Sequence, residues 1–516
     1  MGNTPQQRRL EIGGIICLFF LGLAGCTHLP NPDRYNARLD STLGIESSQT
    51  IISDEKWYAM YREGRKTGWC QLSEGFIEHS GRRFQLHIQT TYETYLRKGH
   101  PVEKKQVVKT IHNMENQFVA SAAITYGGNQ TPTFLIAKNE GENLKLNLWR
   151  GETEYSRTIN REINSMFPLI KQIRMLQPKV GGKKIIQIFD PQNLRVYDYT
   201  VSVISRLEFD LKTGSEPAWY LQIENGRRLV QDIFVSTDKK HRILKIICHD
   251  KPVFYLPETA YKIKTNMDPY DFNEMHDIKL GTTITSSWSV QTAVMDISNE
   301  ALNSVLIESP WQVRLNDASV NGTRWIFRAH KVEDTKSLNL PLAIEGAHQY
   351  LNSTFYIQSN HPKIRQTAAK IKGHEDNALR LFRKIAMWVF NMIEDKNFST
   401  SIASALETLD RKQGDCTEHA VLTAALARAA GIPTRIAAGL YYAQERFSYH
   451  MWVEALVAEN LWVAVDPAMG QIEPDALHLK LFHGDLDVNT HTNMTWALIQ
   501  SLKPDDLKIV ELNKTF

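Results

Sequence analysis

Gly414-Asp-Cys-Thr-Glu-His-Ala-Val-Leu-Thr-Ala-Ala-Leu-Ala-Arg-Ala-Ala-Gly-Ile-Pro433 reads as one capped helix with a thiol in its first turn. Asp415 is a strong N-cap, and Glu418, three residues on, completes the aspartate form of a capping box. Val421, Leu422, Ala425, Leu426 and Ala429 recur at helical spacing and predict a buried stripe, while Gly431 and Pro433 end the helix. Cys416 then takes the first helical position, where free N–H groups and the positive end of the dipole favour a thiolate. Two readings stand side by side: an activated nucleophile, or a small apolar residue that starts a packed helix, since cysteine is among the most buried residue types.

A nucleophilic thiol needs a base, and the base needs an orienting group. Downstream, Tyr449-His-Met-Trp-Val-Glu-Ala-Leu-Val and Leu461-Trp-Val-Ala-Val-Asp-Pro predict two strands joined by the turn Ala458-Glu459-Asn460. A turn centred near Glu459 sets Asp466 across from Trp452 and diagonal to His450 on the same face. Diagonal neighbours in an antiparallel pair lie about 7–8 Å apart, within reach of a carboxylate meeting an imidazole. The hairpin alone therefore predicts that His450 and Asp466 meet.

The order Cys416, His450, Asp466 resembles the core of the transglutaminase-like superfamily, a branch of the papain-like cysteine peptidase fold. The resemblance runs over roughly Tyr356 to Val510. It rests on Gly-x-Cys before an Ala/Leu-rich helix ending in Ala-Gly-Ile-Pro, a His-x-Trp strand, and Trp-Val-x-Val-Asp-Pro. It implies Cys416 as nucleophile, His450 as general base and then acid, and Asp466 as the group that holds the imidazole tautomer. Leu477-His-Leu-Lys-Leu and Gly484-Asp-Leu resemble the strand that follows the Asp in bacterial members. Met451 departs from the Ala that often follows the His. Trp388 is a candidate oxyanion-hole side chain, although it fits the apolar stripe of its own helix first; the Cys416 N–H is the better-placed donor. Trp452 and Trp462 read as packing. His419, on the same helix as Cys416, could be drawn with His450 and Asp466 into a metal site, but no tetrahedral set is required by the spacing.

The resemblance implies acyl transfer through a thioester on a peptide or protein amide. Water as acceptor makes a cysteine peptidase or amidase, the form in which bacterial members of this kind are described, and a lysine amine makes a cross-linking transglutaminase. A non-catalytic envelope scaffold on the same fold is the alternative from another class. No calcium loop of the D-x-[DN]-x-[DN]-G kind occurs, and no cofactor or metal is expected.

The formal charge of +3 is spread over 60 basic and 57 acidic residues, without a basic block interleaved with aromatics, so no nucleic-acid partner is expected. Arg8 and Arg9, an apolar run from Ile12 to Ala24, and the ending Leu23-Ala-Gly-Cys26 read as a leader. The run is too short for a comfortable bilayer span, which favours a cleaved signal. Leu-Ala-Gly-Cys resembles the bacterial lipobox, which implies Cys26 as the lipidated N-terminus and a cell-envelope location. Thr27, in place of Asp, resembles the pattern sorted to the outer membrane among such lipoproteins of two-membrane bacteria, and that resemblance implies its periplasmic face. With Cys17 in the leader and Cys26 lipidated, Cys70, Cys248 and Cys416 remain; Cys70 and Cys248 either bridge or stay as buried thiols.

The rest of the chain is organised around this domain. Residues 1–26 form the signal peptide and 27–53, with Pro30, Pro32 and no apolar period, a flexible tether. Period-two runs such as Phe84-Gln-Leu-His-Ile-Gln-Thr, Val196-Tyr-Asp-Tyr-Thr-Val-Ser-Val and Trp219-Tyr-Leu-Gln-Ile predict an antiparallel β-rich domain over 54–265. Trp311-Gln-Val-Arg-Leu and Arg324-Trp-Ile-Phe-Arg belong to a second β-rich region, 266–350. From 351 to 510 the expected fold is α+β, with a helix over Asp376–Asp395, the Cys416 helix, and strands over 435–442, 450–457 and 461–466. The whole is thus expected to be multidomain, with N-terminal antiparallel β regions ahead of a transglutaminase-like domain.

Overall fold

The computed structural model describes residues 40, 41, 43, 45 and 49–514, apart from 98, 128–130, 152, 161–171, 173–177, 191–193, 212–213, 227, 250–252, 272–276, 281–282, 316–321, 397–402 and 487–501. The leader and Cys26 lie outside the described residues. Among those described, no helix is long and apolar enough to cross a membrane.

The N-terminal part is one antiparallel sheet of fourteen strands among the described residues, β1 (Gln49–Arg62) to β14 (Val253–Glu258). β1 lies in its middle. On one side β2 (Arg65–His79) and its successors follow in sequence order out to β8 (Thr153–Asn160); on the other, β14 leads back to β9 (Lys183–Asp190). The first and last strands therefore seal the middle, in a register that pairs Trp57 with Glu258 and Arg62 with Val253. Alternation along β7 (Asn143–Arg150), with Leu144, Leu146 and Leu148 all buried, shows how period two feeds one core face.

The stretch read as a tether is shorter than 27–53. β1 begins at Gln49, Asp40 pairs with Lys109 at 2.5 Å, and Ile45 is buried against Ile77, Leu86 and Ile111. Two apolar residues, Leu43 and Ile45, suffice to dock the segment, and two are too few to show a period. Cys70 and Cys248 sit in one apolar cluster as free thiols; burial pushes the Cys70 thiol up to about 12.

A small antiparallel sheet follows, ordered β17 (Gln312–Leu315), β18 (Thr323–Arg328), β16 (Val290–Ile297), β23 (Leu507–Lys514). A six-residue helix, α1 (Glu300–Val305), packs beside β16. Its fourth strand comes from the far end of the chain, after all elements of the helical domain.

That domain holds α2 (Pro362–Lys372), α3 (Ala378–Met392), α4 (Ala405–Arg411) and α5 (Cys416–Ala429). Its sheet is ordered β15 (Ile278–Lys279), β20 (Arg446–Ala458), β19 (Thr434–Ala443), β22 (His478–Gly484), with β21 (Leu461–Val465) also on β20. α5 is buried almost all round, and α2, α3 and α4 pack against it. Along β20 the alternation sends Met451, Val453, Ala455 and Val457 into the helical core, while His450, Trp452 and Glu454 face the other way. The apolar side fixes the sheet on the helices and so fixes where the polar side stands. An ion pair between Arg150 and Glu407, 2.9 Å and largely buried, joins the large sheet to α4.

Candidate active site

The helix start forms as its residues demand. Asp415 accepts from the Thr417 and Glu418 N–H groups, and Glu418 reaches back to accept from Asp415 N at 2.9 Å. The other Glu418 oxygen accepts from Ala403 N at 2.7 Å, which ties the loop before α4 to the same cap. Burial and the charge of Asp415 push the Glu418 carboxyl up to about 8. Gly414, at φ +152°, has room for nothing else: a Cβ there would stand 2.3 Å from the Glu418 Cβ. The Gly-x-Cys spacing thus follows from how tightly the cap folds over its own entry. Cys416 stands half-buried at the head of α5, the one thiol of the domain.

β20 and β21 pair as Val453 with Val465 and Leu456 with Trp462, the register that a turn at Glu459 predicts. Asp466 is one residue beyond the ladder. Its Oδ2 lies 2.7 Å from His450 Nε2, and its Oδ1 accepts from Ala468 and Met469 N at 3.0 and 3.2 Å. Backbone bonds with Gln471 in both directions, 2.7 and 2.9 Å, close the loop around it. The carboxylate is fully buried and has no rotamer freedom left.

Since a carboxylate only accepts, His450 Nε2 carries a proton, which leaves Nδ1 as the ring nitrogen for the Cys416 thiol that acts on the imidazole. Burial alone would push the His450 imidazole down. The Asp466 charge and hydrogen bond, with the contact to Cys416, carry it up to about 10. Asp466 is held far below the usual carboxylate range: burial opposes this, and the two imidazoles against it prevail. Cys416, His450 and Asp466 are therefore together, in the order thiol, imidazole, carboxylate.

The other residues singled out in the sequence have simpler surroundings. His419 Nδ1 donates to the Asp415 carbonyl at 2.6 Å, one turn back, and burial pushes its imidazole down to about 4, so it is a neutral helix residue. Trp388 packs against the helical core. Trp452 is buried with Ala437 and Ala464 and lies over His450, ring centroids 6.3 Å apart. Trp462 carries the Arg435 guanidinium on its face at 3.7 Å.

Sequence reasoning missed the next layer. His478 Nε2 lies 3.1 Å from the same Asp466 Oδ2, and its Nδ1 lies 3.2 Å from the Asp475 carbonyl. The ring of Tyr441 covers both imidazoles, 5.1 Å from His450 and 4.3 Å from His478. The available signal was alternation in Leu477-His-Leu-Lys-Leu, which puts His478 and Lys480 on one face of β22. Lys480 and Arg435 both reach Glu454, at 2.7 Å each; burial would push that carboxyl up, and the two cations hold it at about 2. One face of the sheet thus carries a row of buried, paired charges beside the candidate site. The donor atoms of His450, Asp466 and His478 lie within 4.8 Å of one another, close enough for a cation, but each is already engaged in the hydrogen bonds just described.

Residues 365–467 match the family model described as the transglutaminase-like superfamily. No curated protein matches the chain. Among solved structures it is similar to a candidate cysteine protease from Cytophaga hutchinsonii, 17% identical over 46% of this chain and 86% of that one, TM-score 0.29. It is also similar to a beta-barrel-like protein of a domain of unknown function from Brucella abortus, 11% identical over 40% and 94%, TM-score 0.28. A third is a candidate protease from Parabacteroides distasonis, 10% identical over 68% and 69%, TM-score 0.19. The segment that supplies Cys416, His450 and Asp466 is a transglutaminase-like domain, set behind a large antiparallel β region.

Proposed function

We propose that this protein is a cysteine peptidase or amidase of the transglutaminase-like type, working through a thioester. The observation that carries the reading is the buried His450–Asp466 hydrogen bond, with the Cys416 thiol, at a capped helix start, acting on the same imidazole. The Cys416 sulfur attacks an amide carbonyl, and the His450 proton passes to the nitrogen of the leaving amine as the C–N bond breaks. Water then gives a proton back to His450 and its oxygen to the acyl carbon, which releases the acid and restores the thiol. The Cys416 N–H, outside the pair of donors taken by the Asp415 cap, serves the developing oxyanion. We further propose that Cys26 anchors the chain to a bacterial envelope membrane through lipid.

The test is an amide panel of envelope proteins and cell-wall-type peptides, scored for both amine release and incorporation of a fluorescent primary amine. Release that vanishes in Cys416→Ala is expected. Incorporation outrunning release would move the assignment to a cross-linking transglutaminase, and neither signal above the Cys416→Ala background would leave only the scaffold reading. For the anchor, Cys26→Ala should shift the protein out of the membrane fraction; an unchanged distribution would overturn that part.

A further inference from the structure

His478 stands behind the candidate carboxylate in a setting that fixes its protonation by geometry. Nε2 faces Asp466 Oδ2 at 3.1 Å; Nδ1 faces the Asp475 carbonyl oxygen at 3.2 Å and the Asp475 Oδ1 at 3.3 Å. All of these partners can only accept, so both ring nitrogens must donate, and the ring is an imidazolium. Its side chain is wholly buried. Asp475 is in turn locked: its Oδ1 accepts from Leu477 N at 2.9 Å, and its Oδ2 from the Gln471 side chain at 2.9 Å. Gln471 is the residue whose backbone brackets Asp466. The titratable groups facing His478 are Asp475 on the incoming loop, Asp466 after β21, His450 on β20, Tyr441 on β19, and His330, two residues beyond β18, on which the His478 charge acts. An apolar side chain would fill the same space, so the retained hydrogen bonds, rather than packing, ask for an explanation.

We propose that His478, held as an imidazolium between Asp475 and Asp466, is a positioning residue that fixes the Asp466 carboxylate for His450. The idea rests on the thioester reading above for its purpose, although the arrangement it describes exists without it. Asp466 Oδ2 receives an N–H from each of two imidazoles whose ring centroids lie 6.1 Å apart. His478 supplies the one that does not move during turnover, so the oxygen stays aimed at His450 while that ring gains and loses its other proton. The positive charge of His478 also keeps Asp466 an anion in a site that excludes water, where a carboxyl would otherwise tend to protonate.

The test uses the full chain and needs no substrate. Nitrogen-15 spectra of histidine-labelled protein at neutral pH, with the signal assigned by its loss in His478→Gln, should show both ring nitrogens of His478 protonated; a single neutral tautomer would overturn the proposal. Alkylation of Cys416 by iodoacetamide, followed by mass spectrometry of its peptide, reads the consequence. His478→Phe, which fills the space without a donor, should slow alkylation about 10- to 100-fold, the equivalent of one charge-assisted hydrogen bond. His478→Gln, whose amide can donate to Oδ2, should recover most of that loss. Equal rates for wild type and the Phe variant, or a folded Gln variant as slow as Phe, would refute a positioning role. Should the amide panel show no turnover in wild type while these rates behave as expected, the thioester assignment fails and the role of His478 stands.

Discussion

Asp466→Asn tests the site most sharply because it changes charge and hydrogen-bond polarity while keeping shape. In the native protein Oδ1 accepts from two backbone N–H groups and Oδ2 receives two imidazole N–H groups. An amide cannot satisfy both. With its NH2 toward the rings, donors meet donors; flipped, the NH2 meets Ala468 and Met469 N. The charge effect follows from Coulomb's law: two unit charges roughly 4 Å apart at an effective dielectric of about 20 interact by about 4 kcal/mol. That is roughly 3 pH units, comparable to the rise of His450 from 6.5 to about 10. The balance between the thiolate–imidazolium pair and the neutral pair then moves about a thousandfold toward the neutral one. Alkylation of Cys416 at pH 7 is expected to slow by about 10- to 100-fold, since thiolate formed independently of His450 still reacts. Mapping each alkylated peptide separates Cys416 from Cys70 and Cys248. An Asn variant that is folded and alkylates Cys416 at the wild-type rate would show that Asp466 does not govern the imidazole, and the reasoning would fall.

Gly414→Ala should destabilise the protein by about 1–3 kcal/mol, the usual range for forced overpacking, because its Cβ would stand 2.3 Å from that of Glu418; chemical denaturation measures this, and wild-type stability would refute it. Glu418 gives a pH signature. Its carboxyl rises from 4.5 to about 8 on folding, so its stabilising share is complete below pH 4.5 and is lost as pH climbs through 8. Glu418→Gln removes that term, and the difference in melting temperature, wild type minus variant, should decline between pH 5 and 8; a difference independent of pH would contradict the burial argument.

Most of the helix at Cys416 and its hairpin partners was legible in sequence because local rules govern them. Asp415 and Glu418 are three residues apart on one turn, and the 458–460 turn sets its own register, so His450 and Asp466 meet with no information from elsewhere in the chain. His478 and Asp475 were not legible as functional residues, since their place depends on β22 crossing to β19, a pairing that no spacing announces. Gly439 shows the same limit. It faces His450 across β19 and β20, and a Cβ there would stand 1.9 Å from the Leu479 carbonyl, yet in sequence it is a glycine in a strand and nothing more. The packed segment around Ile45 was misread for a related reason: its burial is decided by β2, β3 (Arg82–Arg97) and β4 (His100–His112), far along the sheet.

The pairing of β16 with β23 places a timing constraint on biosynthesis. All three candidate triad residues have left the ribosome once Asp466 has emerged. The loop that holds Asp475 is clamped by the small sheet, through Ala476 N to the Val290 carbonyl at 3.0 Å and His330 N to the Pro474 carbonyl at 2.9 Å. That sheet lacks an edge until Leu507–Lys514 arrives to cover β16. About forty residues thus separate Asp466 from the strand that must arrive before the scaffold behind the carboxylate can close. Reactivity is tied to the arrival of β23 rather than to the appearance of the chemistry, and a version ending at Leu502 should keep Cys416 while alkylating it more slowly.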